Sequence, residues 1–540
     1  MGGYQMKIEK ILIEDQMAPI GLDEKKPAFS WLLTAEEGEQ NLMQSACRIV
    51  VRTGEDTVWD SGKMETGVST GIGYEGEALQ PCTKYEVKAE VWDNHGGKAE
   101  AESSFETGLM DSLYAAWEGA EWIGAPHATV CAENRGVFTI ESEFRMEGGK
   151  GEAGIVFGAN DFRLNDHTKN ELGMEGENYI RYAVCLEDGD ARLEIYRVGY
   201  APEDTAEKPF AVTKLVNWKE KTQEILTPEN ADAFHKLTVE VDGNVAYAYV
   251  DGILVDAIEE HGFFGTKVSG RQLNPRGNND VLPYPRLNEI GFYAGKGTTG
   301  YFKNLTVRNV RKPSAEIIRE TPEGRLDGGK SIFADQIPVE NGYFKVEDSQ
   351  ITADPSHHSI PMLRSCISCQ KEKKLASARL YITARGIYDC RINGQEITED
   401  LLRPGLTQYD HRINYQTYDI TGLMKPGRNG IGVTLASGWW SEAQTFVVKN
   451  FNYFGDKESL LAKAVMKYKD GSREVFGTNT EDWKYFGEGP YLFSSYFAGE
   501  QYDARRAEVY ETYSLPEFDD STWEKPVVVD TVMIGEFCTM

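Results

Sequence analysis

Long hydrophobic runs are missing from this 540-residue chain: no stretch of about 18 apolar residues occurs, so no segment reads as a membrane-spanning helix. Basic residues are scarce, with 57 Lys and Arg against 86 Asp and Glu, and the formal net charge is -29. Phosphate and anionic-lipid surfaces are recognised by clustered cations, so neither nucleic acid nor a membrane is an expected partner. The eight cysteines, at 47, 82, 131, 185, 366, 369, 390 and 538, are too thinly spread for a disulfide framework. Cys366 and Cys369 have metal-type spacing but no matching second pair, and read as reduced thiols on a strand. No HExxH pattern occurs, and no Gly-x-Ser-x-Gly elbow is followed by ordered catalytic partners. The N-terminus lacks the apolar region of a secretory signal, so a cytoplasmic location is expected.

Sustained 3.6-residue periodicity is also nearly absent. Short alternating runs closed by Gly, Asn and Asp take its place, which predicts an all-β chain of tandem β-sandwiches. About seven such strands, among them "CRIVVRTGEDTVWDSG" and "KYEVKAEVWDNHGG", predict a fibronectin-III-like sandwich over 1–110, with Trp59 and Trp92 as packing residues. After a connector at 111–125, a second series of strands is similar to a concanavalin-like jelly roll over 126–312, with hairpin turns at 242–243 and 251–252. Lys312-Pro313 then reads as an exit. A second jelly roll is predicted over 313–525, with an Asn-Gly turn at 393–394 and a Pro-Gly turn at 426–427. Its first strand is sought at 120–124, which would make the concanavalin-like unit an insertion. Residues 526–540 are assigned to the start of a further, truncated domain.

No catalytic residue is assigned in this chain. A Glu-x-Asp-x-x-Glu strand would aim three acids into one cleft, but the nearest string, Glu240-Val-Asp242, has apolar Val245 where the third acid belongs. The best binding candidate is "GANDFRLNDHTKNE", which gathers Asn160, Asp161, Asn165, Asp166, Asn170 and Glu171 beyond a strand. Hard oxygens at this density suit Ca²⁺, for which Asn160, Asp161, Asn165 and Asp166 are the expected ligands. The same residues also cap turns by bonding their own backbone, and both readings stand. Tyr179, Tyr182 and Tyr284 offer rings for stacking, or simple strand packing.

The strings "SARLYITARGIYDCRINGQEI", "LRPGLTQYDHRINYQTYDIT", "GRNGIGVTLASGWW", "FAGEQYDAR" and "FDDSTWEKPVVV", with the landmarks Phe105–Leu109 and Trp122–Gly124, resemble the accessory region of bacterial α-L-rhamnosidases. The resemblance implies a glycosidase that removes terminal α-L-rhamnose from plant glycosides or polysaccharides with inversion. It further implies a lectin-like insertion with rhamnose-binding relatives, and a carbohydrate partner. Asn160, Asp161, Tyr179, Tyr284, Trp439 and Trp440 are then the sugar-contacting candidates. The resemblance also implies a helical toroid bearing two catalytic glutamates, whose Asp-x-x-Arg-Asp-Glu-Arg type of motif does not occur in this chain. The expected partner is therefore that catalytic domain, and the chain alone is expected to be inactive. A free-standing sugar-binding protein and a structural spacer are the rival expectations.

Overall fold

Alternation builds the first sandwich. In the strand Lys84–Asp93, Tyr85, Val87, Ala89 and Val91 are buried while Lys84 and Glu86 face solvent, the two-residue period of a pleated strand. A computed structural model describes residues 6–35, 41–126, 137–160, 177–187, 190–201, 203–211, 216–217, 225–227, 229–242, 245–255, 268–269, 287–310, 312–326, 328–355, 359–442, 454–455, 457–496, 499–529 and 536–539. Seven strands form the first unit. One sheet pairs Met6–Ile13, Ala28–Ala35 and Ile72–Gly73; the other runs Asp56–Asp60, Gln44–Thr53, Lys84–Asp93, Lys98–Glu106. Between them lie Phe29, Trp31, Ile49, Tyr85 and Phe105. Burial of each such side chain contributes about 1.5–3 kcal/mol. Trp59 packs on Phe29 and Tyr74, with ring centroids 5.8 and 5.3 Å apart, and Trp92 lies under the Lys63 and Lys98 ammoniums.

The second sandwich places Phe210–Ala211, Asp190–Val198, Tyr179–Glu187, Gly151–Ala159, Glu289–Ala294 and Gln350–Ala353 in one sheet. The facing sheet contains His235–Asp242, Val137–Met146, Thr299–Phe302 and Tyr343–Glu347 among its strands. Phe157, Tyr182, Phe292, Phe302, Phe333 and Phe344 meet in the core. Asp251 and Gly252, both at positive φ, turn the strand Val245–Val250 into Ile253–Leu254.

Two boundaries differ from those expected. Lys312-Pro313 is no exit: Lys312–Thr321 is a strand paired with Leu305–Asn309, and Gln350–Ala353 pairs with Glu289–Ala294. The insertion therefore runs on to Ala353, because Phe333, Ile337, Phe344 and Val346 are needed to complete its core. The tail 526–540 does not begin a new domain in its described residues. Val527–Val528 pairs with Ile123–Gly124, and Glu536–Thr539 lies parallel to Arg412–Asp419.

Those pairings belong to the third sandwich. One sheet orders Gln395–Glu396, Ile387–Ile392, Gly427–Ala436, Met362–Cys369 and Lys484–Phe486. The other orders Val527–Val528, Ile123–Gly124, Ser459–Tyr468, Leu375–Arg385, Arg412–Asp419 and Glu536–Thr539, with Arg473–Gly477 beside Ser459–Tyr468. The chain crosses between sheets at Gly386, whose φ of 115° and closeness to the Ala436 carbonyl admit only glycine. Asn393 and Gly394, at φ 51° and 83°, form the hairpin turn between Ile387–Ile392 and Gln395–Glu396. Cys366 and Cys369 stand on the strand Met362–Cys369 as free thiols.

The outer face of that second sheet is also buried. Tyr381, Ile413, Tyr415, Leu461 and Val465 pack with Trp117, Trp122 and Phe537, so the connector and the tail share one apolar layer. Polar contacts tie the first sandwich to the same sheet. Arg379 donates two hydrogen bonds to Glu106, at 2.6 and 2.5 Å, and Lys467 Nζ donates to the Cys82 carbonyl at 2.5 Å.

Candidate functional site

The seven-stranded sheet of the insertion turns Ile155, Phe157, Ile180, Tyr182, Ile195 and Phe292 into the core, so the residues between them face outward. Register brings Arg181 beside Val156 and Tyr196, and Tyr293 beside Gly154. The Arg181 guanidinium lies 3.9 Å from the Tyr293 ring centroid and 4.7 Å from that of Tyr196. Gly154 and Gly291 lie beneath, where a Cβ would collide with the Tyr182 or Ile351 carbonyl, and the absent side chains let this planar group lie flat on the sheet.

Carboxylates hold both rings. Tyr293 Oη donates to Glu152 Oε2 at 3.1 Å, and Tyr196 Oη donates to Glu194 Oε2 at 2.7 Å. Arg192 Nε donates to Glu194 Oε1 at 2.8 Å. Burial raises the Glu152 carboxyl above its ordinary range against the pull of Arg181, and it pushes both phenols up. The result is a half-buried platform of guanidinium and rings with a carboxylate rim, suited to a neutral polyhydroxylated ligand.

Asn160 ends the strand Gly151–Ala159 at φ 51°. Its backbone N–H donates to the Asn178 carbonyl at 3.0 Å, and its Nδ2 donates to Glu289 Oε2 at 2.8 Å. Thr352 Oγ1 donates to the same carboxylate oxygen at 2.8 Å. Asn160, Glu289 and Thr352 thus meet at one corner of the sheet. Asp161, Asn165, Asp166, Asn170, Glu171 and Tyr284 lie outside the described residues. No group of three or more His, Cys, Asp or Glu that could hold a metal occurs among the described residues.

The aromatic candidates are placed differently from one another. Tyr179, 6% exposed, packs with Val156, Ala159 and Val198, so it covers the sheet instead of presenting an open ring. Tyr182 is fully buried in the core. Trp439 and Trp440 stand in the third sandwich, in the turn Gly438–Ser441, and not with Asn160. Trp440 is buried, donating from Nε1 to the Lys457 carbonyl at 3.0 Å and packing on Tyr409. Trp439 is half-buried with its ring centroid 4.2 Å from that of Tyr496.

Sequence reasoning missed Arg181, Tyr196, Tyr293, Glu152 and Glu194. Their signal was the outward half of each alternation: "NYIRYAV", "LEIYRVGY" and "EIGFYAG" carry polar or aromatic residues at outward positions that a solvated sheet would fill less specifically.

Comparison with known proteins gives the setting. Residues 8–111 match the family described as Rha78A-like, N-terminal immunoglobulin domain, and residues 373–535 match the α-L-rhamnosidase N-terminal domain. An α-L-rhamnosidase of Streptomyces avermitilis is 26% identical over 530 residues, covering 96% of this chain and 44% of its own length. One from Formosa agariphila is 38% identical over 152 residues, 28% of this chain and 16% of that protein. This chain therefore spans less than half the length of these relatives. The fold of the Streptomyces avermitilis α-L-rhamnosidase solved with L-rhamnose superposes with a TM-score of 0.56 at 21% identity, covering 99% of this chain and 46% of that one. Two segments of the chain thus match N-terminal domains of α-L-rhamnosidases, and the relatives it resembles along its length are α-L-rhamnosidases.

Proposed function

We propose that this chain is the non-catalytic, carbohydrate-handling portion of an α-L-rhamnosidase, a glycosidase that releases terminal α-L-rhamnose with inversion. The observation that carries this reading is the outward platform of Arg181, Tyr196 and Tyr293 on a lectin-like sheet, set within a chain that matches rhamnosidase N-terminal domains twice. Inversion needs an acid and a base carboxyl about 6.5–9.5 Å apart across the sugar, and the family's acid-rich motif is absent from this sequence. The 540 residues alone are accordingly expected to release no nitrophenol from an aryl α-L-rhamnoside. Turnover that survives purification and disappears on mutating one acid of this chain would overturn that assignment.

Within the insertion, L-rhamnose is expected to bind weakly and with calcium, through Asn160 and the residue that follows it in sequence, Asp161. A monosaccharide has few apolar atoms, and a metal bridging two hydroxyls adds oriented contacts without a deep pocket. Millimolar to high-micromolar affinity corresponds to about 4–6 kcal/mol. Titration calorimetry of the whole chain with calcium and then with chelator tests this. Equal heats remove the metal, and no heat at millimolar sugar favours the spacer.

A further inference from the structure

We propose that the outer face of the insertion's seven-stranded sheet binds a neutral oligosaccharide instead of a single sugar, with Arg181, Tyr293 and Glu152 forming a second subsite beyond the Asn160–Glu289 corner. This rests on the reading that the insertion binds sugar.

Glu289, Gly291 and Tyr293 share one face of the strand Glu289–Ala294, since Ile290 and Phe292 are fully buried on the other. Four residues of extended chain separate the corner from the platform, about 13 Å, the span of about two or three linked pyranose rings. A ring seated at Asn160 therefore leaves the platform free for a later ring of the same chain.

The platform has the chemistry for it. The Tyr293 and Tyr196 rings, held in place by the Arg181 guanidinium packed between them and 11% exposed, offer an aromatic surface for the apolar face of a pyranose. At its edge, Glu152 Oε1 lies 4.0 Å from Arg181 Nη2 as an ion pair, and neither it nor Arg181 Nε has a hydrogen-bond partner among the described residues. A buried acceptor and donor left in this state carry a desolvation penalty that a ligand's hydroxyls relieve. Adjacent hydroxyls of one sugar would satisfy both, one donating to the carboxylate and the other accepting from the guanidinium. The Glu152 side chain is 21% exposed, and rotation about its terminal torsion, which is broad, brings Oε1 to the surface. Charge bears on the ligand class: Glu152 and Glu194 are each paired with an arginine, Arg181 and Arg192, so the face is balanced and offers an anionic sugar no net attraction.

Calorimetry of the whole chain with L-rhamnose, and with a neutral trisaccharide capped by α-L-rhamnose, tests the proposal. The trisaccharide is expected to bind about tenfold tighter, a difference of about 1.4 kcal/mol. Arg181→Ala is expected to reduce it to the monosaccharide's affinity while leaving L-rhamnose unchanged. Tyr293→Phe keeps the ring and removes only the hydrogen bond to Glu152; it is expected to give a partial loss for the trisaccharide alone, in a chain that still melts cooperatively. Equal affinity for the two sugars in the parent chain overturns the second subsite and leaves monosaccharide binding standing. Equal loss of both sugars in folded Tyr293→Phe overturns its separateness. Heat from neither sugar overturns this inference together with the reading beneath it.

Discussion

Tyr415 donates its phenol proton to Asp23 Oδ2 at 2.7 Å and accepts the Leu109 N–H at 2.8 Å, so one side chain of the third sandwich fastens two segments of the first. Asp23 completes the arrangement by accepting from the Met110 N–H at 2.8 Å. Tyr415→Phe leaves a carboxylate oxygen and a buried amide without this partner, a loss of about 1–3 kcal/mol. A lower urea midpoint with an unchanged slope is expected.

Glu106 accepts two hydrogen bonds from Arg379, and their side chains are 16% and 12% exposed. At that burial a charge-assisted pair contributes about 1.5–3 kcal/mol. Glu106→Gln is expected to destabilise the junction by that amount. A melting transition in which the first sandwich unfolds ahead of the third would report it, and an unchanged melt would show the pair to be energetically silent.

Acid stability divides between two carboxylates of opposite sign. Hydrogen bonding to Arg473, aided by Lys463, lowers Glu118 from 4.5 to about 2, so its contribution is present above the unfolded value and is lost as pH falls from about 4.5 to 2. Burial raises Asp23 above 3.8, so its ionised form costs stability, and that cost is relieved on protonation. In denaturation followed from pH 7 to 2, Glu118→Gln is expected to flatten the acid decline and Asp23→Asn to steepen it.

Phe537 packs against Trp117 and Trp122, with centroids 5.2 and 6.4 Å away, and is 6% exposed. Phe537→Ala is expected to cost about 3–5 kcal/mol. Removing residues 526–540 uncovers the indoles, and their emission is expected to shift to the red; an unshifted spectrum would deny the tail its place in this layer.

Much of the fold was legible because turn chemistry is local. Asn393-Gly394 and Asp251-Gly252 announced their hairpins, and alternation marked most strands. Lys312-Pro313 misled because proline signals a break, yet a strand tolerates it at its beginning, where the missing N–H is not needed by the ladder. That Gln350–Ala353 joins Glu289–Ala294 is a non-local pairing with no turn to announce it. The platform was hidden for the same reason. Glu152, Arg181, Tyr196 and Tyr293 come from four strands, and only register makes them neighbours.

The strand Ile123–Gly124 has consequences for how the protein is made. Its partners, Leu460 and Val527–Val528, emerge from the ribosome only after the entire insertion has been synthesised. A floppy insert of that length would raise the entropy lost when the two ends meet, whereas a domain that folds first holds them within a defined reach. The insertion is thus expected to fold after the N-terminal sandwich and before the third one, and the layer around Trp117 and Trp122 closes only when the last strand arrives. Mutations that slow the insertion's folding would then appear as aggregation of the sandwich around it.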